Sequence, residues 1–240
     1  SGRSTNVRIA NRCSKCIMES LALLSELLVA PAPHEAAKYA VENWHYSRIL
    51  PTGKLVKYGV WEDKKFIGVV IFSRGASPWL GVALELDHTE LCELTRVALT
   101  KHRAPVSQIV AKALKLLREK NPGLRAVISF ADPKEGHKGG IYQAGNWIYT
   151  GQSNSNIEYF IGGRWRHTRG VYHHPERKTA PRREAPGKFR YIYPLDKAMR
   201  RKVSKLALEF PNAVEGLEES RGDSVTEVQV QSLPTAREEA

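Results

Sequence analysis

Residues 124–151, LRAVISFADPKEGHKGGIYQAGNWIYTG, constrain the fold more than any other stretch, because apolar pattern, turn chemistry and reactive side chains coincide there. Residues 124–130 are rich in β-branched and aromatic side chains and follow Asn121-Pro122-Gly123, so they predict a short buried strand. Asp132-Pro133 ends it. Proline cannot continue a ladder, and the carboxylate is left at a strand's carboxyl end, where open α/β sheets hold ligands. A turn-forming aspartate is the plainer use of the same residue. Gly136, Gly139 and Gly140 surround His137, and residues 140–146 predict a short helix leaving through Gly145-Asn146, which tolerate a left-handed exit. Residues 147–150 form the next strand. The candidate active site is placed in this unit.

Charge distribution narrows the partner. The formal net charge is +12, and residues 164–205 hold 14 Lys or Arg against 3 Asp or Glu, whereas residues 213–240 hold 2 against 7. A basic face therefore precedes an acidic tail. Such a face suits a polyanion, whose condensed counterions are released on binding; a merely soluble surface or an anionic membrane is the rival reading. Trp165, Tyr172, Phe189, Tyr191 and Tyr193 are interleaved with the cations and favour nucleic acid, because rings stack on bases. The candidate nucleic-acid contacts are Arg48, Arg164, Arg166, Arg169, Arg177, Lys178, Arg182, Arg183, Lys188 and Arg190, with residues 179–187 as an extended, Pro- and Arg-rich arm.

At 240 residues the chain has room for one full core with loose ends. Cys13, Cys16 and Cys92 are too few for a disulfide framework, which points to a reducing compartment, and the Cys13–Cys16 pair lacks the second pair a zinc site needs. Residues 14–29 read as an amphipathic helix. Glu19 and Glu26 interrupt its apolar run, which argues against a signal peptide, and the run falls far short of the roughly 20 residues of a membrane span.

Ala37, Ala40, Val41 and Trp44 form a helical stripe that ends at His45-Tyr46-Ser47. Two readings stand level there: a histidine helix cap, or a cluster of proton-handling groups. Residues 55–61 and 66–73 predict a β-hairpin, and residues 90–99 a strand with Cys92, Leu94, Arg96 and Ala98 on one face. An arginine among apolar neighbours needs an acidic partner, Glu93 or Asp132, or an anionic ligand such as phosphate or carboxylate. Residues 105–120 carry the strongest helical stripe, residues 157–161 predict a last strand, and Leu195, Met199, Val203 and Leu206 a further helix. Free amides before the helix at 105–120, with Arg103 and Ser107, offer a pyrophosphate site, although no glycine-rich loop is present there.

Residues 141–151 resemble the carboxyl-terminal half of a GNAT-type acyltransferase fold. Taken with Trp44-His45-Tyr46-Ser47, Glu93-Leu94-Thr95-Arg96-Val97-Ala98, Ser129-Phe130-Ala131-Asp132-Pro133 and the peptide at 188–196, the chain resembles the Mom family of phage DNA-modification proteins across about residues 34–212. The resemblance implies an α/β (α+β) GNAT-like domain over 31–163, with a central mixed sheet flanked by helices. An N-terminal extension (1–30) would precede it, and a basic extension (164–212) and a disordered acidic tail (213–240) would follow. It implies addition of a carbamoylmethyl group to adenine N6 in double-stranded DNA, in the host cytoplasm, as protection from host nucleases. It nominates His45, Tyr46, Arg96, Asp132 and Tyr142 as the active-site group, with Ser129 and Tyr149 nearby. It also suggests an acyl coenzyme A such as acetyl-CoA along Val97, Ala98 and Leu99 and against Arg103 and Ser107. A non-haem iron on His45, Asp132 and His137 is the other donor chemistry weighed. An N-acetyltransferase acting on RNA or protein, or a DNA-binding module without chemistry, are the competing functions.

Overall fold

The computed structural model describes residues 26–75 and 77–211. The Cys13–Cys16 pair, most of the helix expected at 14–29 and the acidic tail lie outside them. Where that helix overlaps the described residues the chain is a strand, β1 (Leu27–Pro31). Leu27 and Val29 are buried and Leu28 is exposed, so a period of two prevails once the edge of β2 (Leu55–Glu62) is there to pair with.

The fold is α/β, as expected, with a mixed central sheet flanked by helices. Seven strands run in the order β1-β2-β3-β4-β5-β10-β6. Here β3 is Lys65–Ser73, β4 Leu91–Leu99, β5 Ala126–Ala131, β6 Ile148–Gln152 and β10 Phe189–Pro194. The expected hairpin is β2–β3, turned through Asp63 and Lys64, both at positive φ, the conformation that suits a two-residue hairpin turn. Helix α1 (His34–Trp44) buries Ala37, Ala40 and Val41 against Val69, Ile71 and Ala98 on one face. On the opposite face α2 (Val106–Lys120) buries Ile109, Val110, Ala113, Leu114 and Leu117. Burying such side chains contributes roughly 1.5–3 kcal/mol each, an upper estimate.

Two features open the sheet in the middle. Only β4 and β5 run parallel among the described pairs, and their ladder ends at Glu93 opposite Ile128. One residue later the β3–β4 register slips: Ile71 faces Arg96 but Phe72 faces Leu94, so Thr95 is a bulge. The expected alternation breaks there. Cys92 and Leu94 face α2, while Arg96 turns with Ile71 and Ala98 towards α1.

Residues 157–161 do not join the central sheet. They lie in β7 (Asn156–Ile161), the middle of a second sheet with β8 (Arg164–His167) and β9 (Arg182–Ala185), the last being the extended stretch expected within 179–187. From β9 the chain returns as β10, inserted between β5 and β6, and closes with α4 (Lys197–Ser204), whose Met199 and Val203 are buried beside Ile128 and Ile192.

Candidate active site

Beyond the last paired residues of β4 and β5, the Ser129 hydroxyl donates to the Leu94 carbonyl at 2.8 Å. With its proton so used, Ser129 accepts from Tyr142, whose hydroxyl is also 2.8 Å away. Tyr142 reaches it from α3 (Gly140–Ala144), stacked on Tyr191 of β10 at 4.9 Å. Gly139 permits that stack, because a Cβ at this positive-φ position would run into the Tyr191 ring. Burial pushes the Tyr142 hydroxyl up to about 12, so it stays protonated. Tyr149 is buried beside Tyr191, at 5.3 Å, as part of the same aromatic packing.

Helix α1 ends at His45, and the chain then turns over the mouth of the split. Arg96 donates to the carbonyls of Ile49 (3.3 Å) and Thr95 (2.7 Å), tying this turn to the bulge. The Tyr46 ring lies 5.7 Å from His137, edge on, which joins the turn to the loop after β5. His45 Nδ1 accepts from the Ser47 amide at 3.1 Å and lies 2.8 Å from its hydroxyl. In the neutral ring the proton therefore sits on Nε2. Burial, with Arg96 and His137 close by, lowers the His45 pKa to about 4, so the ring is neutral at ordinary pH.

Asp132 ends β5 and accepts from the Lys134 amide at 3.1 Å and from Lys188 at 2.7 Å. Burial works to raise its pKa, but Lys188 and the Lys134 amide outweigh it and hold the carboxyl below the usual aspartate value. Tyr46 feels Lys188, Arg96 and Asp132 together, so His45, Tyr46, Arg96, Asp132 and Lys188 share one electrostatic neighbourhood, with Tyr142 and Ser129 buried beneath it.

The donor groups that the resemblance suggests meet the following residues. Val97, Ala98 and Leu99 pair with β3 on one edge and border the split on the other. The amides before α2 are not free. Glu62, 7% exposed, accepts from the amides of Arg103 (2.9 Å) and Ala104 (2.8 Å), and the Arg103 guanidinium pairs with Asp63 and Glu62. Burial opposes ionisation of Glu62, but the two amides and Arg103 prevail and its pKa is lowered. A carboxylate thus stands where a diphosphate would sit, and like charges repel, so the loop does not fit an acyl coenzyme A held there. Ser107 is half-buried in the first turn of α2. The iron reading fits no better: the Lys188 ammonium sits on the Asp132 carboxylate, and no cluster of three metal-ligating side chains occurs among the described residues.

The candidate nucleic-acid residues divide. Lys188 is bonded to Asp132, Arg183 to Glu158 (3.0 Å), and Arg190 to the hydroxyl and carbonyl of Thr150 (2.9 and 2.8 Å). Arg48, at positive φ, and Arg164, Arg169, Lys178 and Arg182 are exposed, and Arg166 and Arg177 half-buried. Of the five interleaved aromatics, Tyr191 is fully buried and Phe189 and Tyr193 pack on the core, because β10 is a central strand; Trp165 and Tyr172 remain at the surface. Sequence reasoning missed Glu62, read as a turn residue, and the part of Lys188. No local signal marks either, since their partners are 41 and 56 positions away.

An α/β sheet parted between two parallel strands, with polar and ionised groups gathered at the parting, frames the candidate site. The chain belongs to the Mom protein family, whose model matches residues 26–212. It is 30% identical over 183 residues to the methylcarbamoylase mom of Escherichia phage Mu, covering 70% of this chain and 75% of that one. Among solved structures, spermidine N-acetyltransferase from Vibrio cholerae is 11% identical over 73% of this chain and 97% of that one, with a TM-score of 0.46. An aminoglycoside acetyltransferase with coenzyme A and kanamycin is 10% identical over 73% and 98%, also at 0.46.

Proposed function

We propose that this chain modifies DNA by adding a carbamoylmethyl group to adenine N6, protecting phage DNA from host nucleases. Family membership supports the reading, and the observation that carries it is the Asp132–Lys188 pair beside a neutral His45 and a protonated Tyr142 at the split. An adenine must leave the duplex stack to reach such a cleft. Its exocyclic amine is a weak nucleophile and must lose a proton as the N6–carbon bond forms. Asp132, ionised throughout the neutral range, accepts that proton while the bond from the methylene carbon to its leaving group breaks. His45, with its Nε2 proton, donates a hydrogen bond rather than acting as a base, and Arg96 orients an anionic part of the donor. A carbamoylmethyl group is joined through its methylene carbon, so the step is a displacement and not acetyl transfer, in keeping with the Glu62-filled loop.

The test is expression in a bacterium, digestion of plasmid DNA to nucleosides and mass measurement. A new adenosine species heavier by a carbamoylmethyl group is expected, absent with Asp132→Asn while duplex affinity stays nearly unchanged. An active Asp132→Asn variant would remove Asp132 from the mechanism.

A further inference from the structure

The two faces of the three-stranded sheet use their cations differently. Pairing of Glu158 with His167 and Arg183, and of Phe160 with Trp165, places these side chains on one face. There Glu158 bridges Arg183 and Lys134, two residues past Asp132, and the Arg183 guanidinium lies 4.2 Å over the Trp165 ring. This face is held to the Asp132 loop.

Tyr159 pairs with Arg166 on one side and Arg182 on the other, and Ile161 with Arg164, so these arginines share the opposite face. Arg177 reaches the same place, its guanidinium 5.4 Å from the Tyr159 ring and 4.9 Å from Tyr172. None of the four pairs with a carboxylate among the described residues. The Nε atoms of Arg166 and Arg177 are enclosed with no acceptor. Glu184, also on this face, accepts from Ser155. Guanidinium groups never lose their charge, and an enclosed donor without an acceptor is costly unless an anion supplies one.

We propose that Arg164, Arg166, Arg177 and Arg182 form the face that seats the phosphate backbone of duplex DNA. The inference rests on the DNA-modification reading and refines it: Arg183, Lys188 and Arg190 are engaged by Glu158, Asp132 and Thr150, and Glu158 and Lys134 tie the small sheet that carries the arginine face to the Asp132 loop. Phosphate oxygens match the forked donors, and a ribbon of short strands fits a duplex surface.

The test is binding of a labelled 20-base-pair duplex, roughly two helical turns, across a salt series. Replacing Arg164, Arg166 and Arg182 together by Gln is expected to weaken binding and to flatten the slope of log K against log salt by about 3. The same triple change to Lys retains the slope and separates charge from fold, and melting curves report folding of each variant. A charge-matched control, Lys115, Arg118 and Lys120 to Gln on α2, leaves the slope unchanged. A face variant that keeps the wild-type slope and affinity overturns this assignment while leaving the DNA reading intact. A wild type with no salt-dependent duplex binding overturns that reading as well, and tighter binding of single-stranded DNA or RNA of equal length overturns the duplex as occupant.

Discussion

At the scale of single residues, burial and neighbours impose the charge states of the candidate site. His45 has its pKa lowered to about 4 by burial, Arg96 and His137, whereas in the unfolded chain it titrates near 6.5. The unfolded state therefore binds more protons between those values, so the contribution to stability is complete above about 6.5 and is lost as pH falls towards 4. Denaturant unfolding between pH 7 and 4 is expected to show this sensitivity and His45→Asn to flatten it; an unchanged slope would mean the ring is not held neutral. Asp132 was legible as a carboxylate at a strand end before a proline. Its protonation state was not, since that depends on Lys188, which reaches it from the far side of the sequence.

Elements carry the next decision. The hairpin β2–β3 was plain from two runs around a polar turn, and α2 from its apolar stripe, but nothing in either pattern says that the last residue of β2 caps the loop before α2. Glu62→Ala leaves two amides without their acceptor, one of them on the buried Ala104. A loss of about 2–3 kcal/mol is expected from the denaturant midpoint, less with Glu62→Gln, which keeps one acceptor. Coenzyme A titrated calorimetrically into the wild-type protein is expected to give no saturable heat. Micromolar, saturable binding would return this loop to the donor. The bulge at Thr95 is of the same kind: alternation in residues 91–98 predicts a single apolar face, and the register against β3 divides it.

On the scale of the whole molecule, Glu158, its side chain 16% exposed, links the small sheet to the Asp132 loop through Lys134 and also holds Arg183 of β9. Glu158→Gln leaves both cations without a carboxylate, and faster hydrogen exchange is expected across residues 156–185 with no change in the β2–β3 hairpin. Equal acceleration in both regions would mean global destabilisation instead. The sequence by itself determined most of the elements, because local apolar period and turn chemistry act between near neighbours, and its resemblance to the Mom family carried the α/β class and the peptides that gather at the split. The tertiary structure alone decided that Phe189–Pro194 enters the central sheet between β5 and β6, that Tyr191 is core, and that Lys188 and Glu62 are committed to partners within the protein. Those outcomes follow from strand order, which brings distant residues into hydrogen-bonding range and leaves no trace in the local pattern.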